Sequence, residues 1–420
     1  MTNIILFDSE VRDQLLPLTF TRPVGEIRLG ILSIREKWEY FLNGKASYIT
    51  QDYLSEKYPT QVAEENFVIN GSILPNTTLC QMISRLNLNE ALLQKGSFIA
   101  AKLNEVQFQH LMNDEAIETL EGLELQGHTP IHRIEHLWDI YKLNHIAIET
   151  DFQLLTRNRT SQPISNTNRV LSAQNIFIEE GATVECSNLN ATTGPIYLGK
   201  NATVMEGCSI RGGFSLGEQA TLKMGANIYG PTTIGPHCKV GGEVKNSVIM
   251  GYSNKSHAGY LGNSVLGEWC NLGADTNNSN LKNNYSKVKV WSYDAEQFVN
   301  SGEQFCGLFM GDHSKSGINT MFNTGTIVGV FANIFGAGFP SKHIPSFSWG
   351  GVDKSVTYDL EKAMELGEKV YERRNLTFNK QERSIIRTIF EHTHKHRTWE
   401  KDKESTTVQS VNAKKETTDY

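Results

Sequence analysis

Between Leu198 and Val240 an aliphatic side chain returns at every sixth position: Leu198, Val204, Ile210, Leu216, Leu222, Ile228, Ile234 and Val240. A helix repeats at about 3.6 residues and an alternating strand at about 2, so neither requires this stride. A solenoid of triangular cross-section does, because each side takes six residues and turns one aliphatic residue inward. The stretch therefore predicts a parallel β-helix. Glycine follows several of the inward positions, as in "LG" at 198 and 216 and "IG" at 234. After Val240 the phase slips by two and resumes through Val248, Asn254, Tyr260, Leu266 and Leu272. A third block follows at Met310, Ser316, Phe322, Val328 and Ile334. The intervening "NNSNLKNNYSKVKVWSYDAEQFVNSGEQ" is too polar for a solenoid interior and reads as a protruding loop, of a length that is usually functional.

Upstream the texture is different. "NIILF", "ASYIT", "FVIN" and "SFIAAKL" read as strands, "GILSIREKWEYFL" as an amphipathic helix, and "IHRIEHLWDIYKLNHIAIETDF" as helical again. Strands alternating with helices predict an α/β domain with a largely parallel sheet over residues 1–155. Residues 156–169 are polar and non-periodic and read as a linker, with the solenoid over 170–349. Beyond it, Leu360, Ala363, Met364, Val370 and Tyr371 mark one helical face. "NKQE" at Asn379 starts a second helix ahead of Ile385, Ile386, Ile389 and Phe390. The pair, over 350–399, is expected to cap the last coil. Residues 400–420 are charged and polar, and disorder is expected there.

Composition narrows the class. The chain has 420 residues, 39% hydrophobic and 20% charged, with a net charge of -6 that gives no reason to expect nucleic acid or a membrane surface as a partner. No run is apolar enough to span a bilayer and "MTNIILFDSE" lacks the features of a signal peptide, so a cytoplasmic location is expected. The six cysteines contain no C-x-x-C and read as reduced structural thiols.

The candidate chemistry sits where the repeat breaks, at "HAGYLG" from His257. An α/β domain followed by a hexapeptide solenoid resembles the bifunctional enzymes that make UDP-N-acetylglucosamine, in particular their divergent bacterial branch. That resemblance implies a Rossmann-like nucleotidyltransferase fold joined to a left-handed parallel β-helix acetyltransferase and C-terminal helices. "HAGYLG" and "CNLGAD" match the family's acetyltransferase segments. They imply His257 as catalytic base, with Tyr260 and Asn271 at sugar-phosphate and acyl-site positions. Lys245 falls on a substrate-binding lysine. "SNLKNNYSKVKV" resembles the loop over the site, which places Asn280 near the acetyl donor and Lys287 or Lys289 near the phosphate. The arginine usual about thirty residues before the histidine is absent. Beside the resemblance stands a chemical argument: attack on a thioester needs a neutral amine, and a histidine of pKa about 6.5 can take its proton.

The first domain departs further from the family. It has no glycine-rich loop after its first strand, where Arg12 and Arg22 are expected to meet the nucleotide phosphates. "VINGSILP" keeps Asn70 and Gly71 as nucleotide-binding positions but has Ser72 where the family's Mg²⁺-binding aspartate stands, and Asp8 is the substitute expected to hold the metal. The resemblance implies a sugar phosphate, UTP and acetyl-CoA as substrates and a homotrimer as the assembly. The alternatives are an acetyltransferase or nucleotidyltransferase for another sugar phosphate, with a degenerate first domain, or a non-catalytic sugar-nucleotide-binding protein. His132 and His136, four apart, read as an exposed helical face, and "HTHKH" at His392 reads as surface.

Overall fold

The computed structural model describes residues 2–113, 120–125 and 130–400. The expected disordered tail, past Glu400, lies outside the described residues. The first domain is built on a six-stranded sheet of β1 (Thr2–Phe7), β2 (Gly44–Ile49), β3 (Glu65–Asn70), β4 (Glu90–Gln94), β5 (Ser97–Asn104) and β6 (Glu121–Glu124), in the order β2-β1-β3-β5-β4-β6. β1 runs parallel to β2 and β3, but β5 is antiparallel to both β3 and β4. The sheet is thus mixed rather than largely parallel. The difference comes from β4, whose "EALLQ" carries little strand signal. It forms a hairpin with β5 through Lys95 and Gly96, both at positive φ (50° and 75°), as a two-residue hairpin turn requires.

Trp38 of the helix Ile34–Leu42 is wholly buried under this sheet, and its indole donates to the Ile73 carbonyl at 3.0 Å. Ser33 and Glu36 close a capping box at the start of that helix. The segment read as one helix from Ile131 becomes helical only at Leu137, with helices Leu137–Lys142 and Asn144–Thr156. Before it, the chain pairs with residues 72–74: Leu74 N donates to His132 O (2.8 Å) and Ile134 N to Ser72 O (2.9 Å). His132 and His136 therefore share no helical face, and His136 instead caps the Leu137 helix through Asp139.

The solenoid forms three ladders, parallel throughout except for the last pair of face three, Ser348–Gly351 with Ser355–Thr357. Face one comprises Arg169–Leu171, Asn188–Asn190, Ser209–Arg211, Asn227–Tyr229, Glu243–Lys245 and Tyr260–Gly262. Face two is a nine-stranded ladder from Ile176–Ile178 to His343–Ile344, and face three a ten-stranded ladder from Thr183–Val184 onward. All eight aliphatic residues of the first block are buried in one core. In the second block the expected phase is corrected. The inward positions are Val244, Ile249, Lys255 and Leu261, while Asn254 and Tyr260 face outward and Val248 packs toward the first domain. The stride shortens to four and then five residues after Val240, which rotates the strands by one position and exchanges their faces.

That shift puts a lysine inside the solenoid. Lys255, 2% exposed, donates from Nζ to the carbonyls of Gly241 and His257, each at 2.9 Å. Burial lowers its pKa to about 8, against a weaker opposing pull from Asp275.

One corner carries a ladder of rings. His237, Tyr252, Trp269, His313, Phe331 and Phe347 all adopt positive φ, between 54° and 62°. Such backbone normally selects glycine or asparagine. Here stacking down the corner offsets the strain, with centroids 4.6 Å apart for His237–Tyr252, 4.2 Å for Tyr252–Trp269 and 4.3 Å for His313–Phe331. The C-terminal helices Leu360–Glu372 and Lys380–His392 pack along this ladder and reach the last coil, where Phe390 is edge-on to Phe347 at 4.9 Å. Tyr371 stacks on Trp269 at 4.2 Å, and Gly367 leaves room for Phe331 and Phe378.

Face two is covered by the first domain. Thr233 Oγ1 donates to Gly30 O at 2.8 Å, and Asn144 Nδ2 to Pro231 O at 3.1 Å. Arg22, 4% exposed, forms an ion pair with Asp312 of the solenoid and a longer one with Glu268 at 3.3 Å. The long insertion does not protrude. Lys289–Ser292 and Gln297–Asn300 pair as a hairpin, Val288 and Val290 are buried against Gly325 of the solenoid, and Tyr293 is edge-on to Phe20 of the first domain at 5.3 Å.

Two outcomes follow from these contacts. Arg22→Ala leaves Asp312 charged and buried, and should lower the unfolding free energy by about 3–5 kcal/mol in urea titration. Arg22→Met with Asp312→Leu should recover most of it, and a loss near zero for Arg22→Ala contradicts the pairing. For Lys255 the folded pKa lies below the ordinary value of 10.5. Below pH 8 both states are protonated and the cost of the buried charge is fully present. As pH rises from about 8 toward 10.5 the folded state sheds its proton first, so stability rises. Relative to Lys255→Met, the wild type should gain about 1–3 kcal/mol across this window. The buried cysteines, which act with the opposite sign, cancel in that difference. A pH-independent difference would show that Lys255 stays charged.

Candidate functional site

Face one ends in an irregular coil that holds most of the candidate acetyltransferase residues. Past Tyr260–Gly262 asparagine side chains take over from the backbone ladder. Tyr260 N donates to Asn277 Oδ1 at 2.7 Å, and Gly262 N to Asn278 Oδ1 at 2.8 Å. The Tyr260 ring folds back over Gly262, where an added Cβ would fall 2.2 Å from the phenol oxygen. Only glycine leaves that space. Asn280 Nδ2 donates to Tyr260 Oη at 3.0 Å and to Asn263 Oδ1 at 2.8 Å. One coil above, Lys245 holds its ammonium 5.6 Å from the Tyr229 ring centre and 5.9 Å from that of Phe305. Among the described residues it has no carboxylate partner. Tyr229 is itself fixed by donating to Glu243.

His257 stands at the edge of this face, in the turn from Asn254–Lys255 to Tyr260–Gly262. Its ring is exposed, takes no partner among the described residues, and lines a cavity of about 380 Å³ with Met205, Lys223, Met224 and Gly242. Its carbonyl is held from inside by Lys255. Lys255, Tyr229, Phe305 and Asn263 were not identified from the sequence. The only sequence signal was the shortened stride after Val240. Arg211 likewise carries no signal in the sequence pattern. It continues the outward column of Tyr229, Lys245 and Gly262, about 10 Å from Lys245 at two strand spacings.

A single chain does not bring Asn271 to this group. It lies on face three, paired with Asn254 and Lys315. Lys287 and Lys289 are exposed on the insertion. Lys289 alternates with the buried Val288 and Val290, so its side chain points away from the protein.

In the first domain the expected nucleotide residues are largely engaged with the protein itself. Arg12 is buried and pairs with Asp13 (2.6 Å), Thr19 O (3.1 Å) and Tyr53 Oη (2.6 Å), while its Nε has no partner. Arg22 is held between the domains by Asp312 and is not presented to a phosphate. Asn70 Oδ1 accepts from both the backbone and the hydroxyl of Ser72. Gly71 N donates to Phe7 O at 2.9 Å, which sets the end of β3 beside that of β1. Asp8 accepts from Val24 N (2.8 Å) and Thr50 Oγ1 (2.7 Å), and burial raises its pKa to about 6. Each Asp8 oxygen thus already accepts one hydrogen bond from the protein, and no group of three His, Cys, Asp or Glu side chains suited to a metal is present among the described residues. The histidines read as surface do contribute walls. His392 and His396 line a cavity of about 480 Å³ with Arg12, Tyr53 and Tyr293, although His392 and His394 remain exposed.

Residues 4–160 match the family model described as sugar nucleotidyl transferase. The chain is similar to a bifunctional sugar-1-phosphate nucleotidylyltransferase/acetyltransferase of Sulfurisphaera tokodaii, at 39% identity over 22% of this chain and 23% of the relative. It is also similar to the bifunctional protein GlmU of Methanococcus aeolicus, at 32% identity over 29% of this chain and 25% of the relative. These matches span about a quarter of the length of either relative. A solved UDP-N-acetylglucosamine acyltransferase of Bacteroides fragilis covers 53% of this chain and 95% of its own at 13% identity. That backbone likeness is weak (TM-score 0.26), and the fold rests on the ladders themselves. Residues 4–160 thus match the sugar nucleotidyl transferase family model, and over shorter stretches the chain is similar to proteins named as bifunctional nucleotidylyltransferase/acetyltransferases.

Proposed function

We propose that this chain is a bifunctional transferase of sugar-1-phosphates. On this reading the solenoid moves an acetyl group from acetyl-CoA to glucosamine-1-phosphate, and the first domain moves a uridylyl group from UTP to N-acetylglucosamine-1-phosphate. The observation that carries it is the group on face one: Lys245, Tyr260 and Asn280 side by side, with the partnerless His257 ring at their edge. Lys245 supplies a point charge for the acceptor's phosphate, and Tyr260 and Asn280 supply hydrogen-bonding groups for its ring. The sugar amine attacks the thioester carbonyl, its proton passes to His257, and the thiolate of coenzyme A leaves and takes a proton in turn. Lys255 is a positioning residue, because it fixes the carbonyl of the residue that carries the base.

Asn271 lies on a different face, and the proposed assembly supplies it from a neighbour. A threefold arrangement that sets face three of one copy against face one of the next brings Asn271 to a neighbour's His257, and a homotrimer is the proposed state. In the first domain Arg12, with its unpaired Nε, and the Asn70–Gly71 turn remain as contacts for the nucleotide. A second reading, a first domain that keeps its fold without transfer, is favoured by the engagement of Arg22 with Asp312 and by Ser72 bonding to Asn70.

His257→Ala should lower acetyl transfer by about 10²–10⁴-fold while the circular dichroism of the solenoid is unchanged. A near wild-type rate overturns the assignment. His257→Ala and Asn271→Ala chains, each impaired alone, should regain activity when co-assembled, and no recovery contradicts a shared site. Release of pyrophosphate from UTP and N-acetylglucosamine-1-phosphate, lost in Arg12→Ala, decides for transfer by the first domain. Its absence decides for the second reading.

A further inference from the structure

Between face three of the solenoid and the helix Leu360–Glu372 lies a cavity of about 340 Å³. It is lined by Lys239, Lys315, Arg373 and Arg374, with Asn254 and Asn271 between them and Tyr252 and Trp269 along one wall. No carboxylate lines it, and among the described residues none of the four cations has an ion-pair partner. Lys315 and Arg374 are half-buried and Lys239 and Arg373 are exposed at its rim, so the cavity presents a cationic wall with no carboxylate of its own.

Their placement follows from the fold. Lys239, Asn254, Asn271 and Lys315 form one outward column, each paired in register with the next coil. At one strand spacing per coil the two lysines stand about 14 Å apart, with two amides between them. Lys315 donates from Nζ only to the His313 carbonyl, at 3.0 Å, and burial lowers its pKa to about 8. Arg374 is anchored at 3.1 Å on the His237 carbonyl. Asn254 has a buried side-chain oxygen with no partner. Its amide can be turned either way, so it can present an N–H to an acceptor at no structural cost. The rings of Tyr252 and Trp269 are stacked on each other and on Tyr371, so they wall the cavity without offering a free face.

We propose that this cavity is a binding site for a phosphate-bearing small molecule, held by Lys239, Lys315, Arg373 and Arg374 with the amide of Asn254. His257, Lys245 and Tyr260 do not line it, and Asn271 is the one lining residue it shares with the proposed acetyl site, so the cations rather than Asn271 are what the test changes. Two sources share the chemistry: free pyrophosphate and the diphosphate of a nucleotide sugar.

The test is calorimetric titration of the full chain with inorganic pyrophosphate, inorganic phosphate and UDP-N-acetylglucosamine. Pyrophosphate should bind, and its affinity should fall at least about tenfold in Lys315→Gln, the scale of one charge-assisted hydrogen bond. The same loss is expected in Lys239→Gln/Arg373→Gln, whose exposed side chains can be changed without disturbing the fold. Arg12→Ala should leave this binding intact. Displacement of pyrophosphate by UDP-N-acetylglucosamine identifies a nucleotide diphosphate as the ligand, and failure to displace it identifies the free anion. The proposal is overturned if none of the three compounds binds, if affinity is unmoved in both cation variants, or if only Arg12→Ala abolishes binding.

Discussion

The buried pair of Arg22 and Asp312 sets how the two halves of the chain meet. Asp312 accepts from Arg22 and Thr21 through one oxygen, and from the backbone of Glu268 through the other. Three donors around one carboxylate offset much of the cost of burying it. With that anchor, the loop after β1 lies against the solenoid, the two helices before the linker cover face two, and the insertion hairpin closes over the same junction. The cost falls on nucleotide chemistry, because an arginine that the resemblance assigns to phosphate is held by a carboxylate instead.

The solenoid shows how a regular repeat makes room for irregular chemistry. Eight aliphatic residues at a stride of six define the coil, and a short stride after Val240 turns Lys255 inward. A lysine is tolerated there because two carbonyls of adjacent turns point into the same space. Its binding to the His257 carbonyl ties the deformation to the residue proposed as base. On a second corner, rings at positive φ stack into a column that gives the C-terminal helices a surface to pack on. That packing in turn brings Arg373 and Arg374 over face three.

How much of this was legible in the sequence depended on how local its cause is. The first block, from Leu198 to Val240, was readable because the cross-section demands one apolar residue at each stride, whatever lies elsewhere. The slip after Val240 was visible, but its direction was not. Whether Asn254 or Lys255 turns inward is decided by the carbonyls of Gly241 and His257, which a residue pattern does not display. β4 escaped notice because "EALLQ" has few β-formers and becomes a strand through its neighbours β5 and β6. The ring ladder was hidden for a similar reason: His237, Tyr252 and Trp269 look like scattered aromatics until coils of unequal length bring them into register. For Arg22 the deciding partner lies 290 residues away. His257, Lys245, Tyr260 and Asn280 were recognisable as a motif, and the structure places three of them on one face with the histidine at its edge. Asn271 belongs to another face, which only the fold could reveal.

The central claim is that the group on face one acetylates a sugar-phosphate amine. The most direct measurement is product identification by mass after incubating the purified chain with glucosamine-1-phosphate and acetyl-CoA, without and then with UTP. The account predicts N-acetylglucosamine-1-phosphate in the first mixture, with free coenzyme A formed in equal amount. Glucosamine-1-phosphate recovered unchanged in both mixtures, with acetyl-CoA intact, would contradict it.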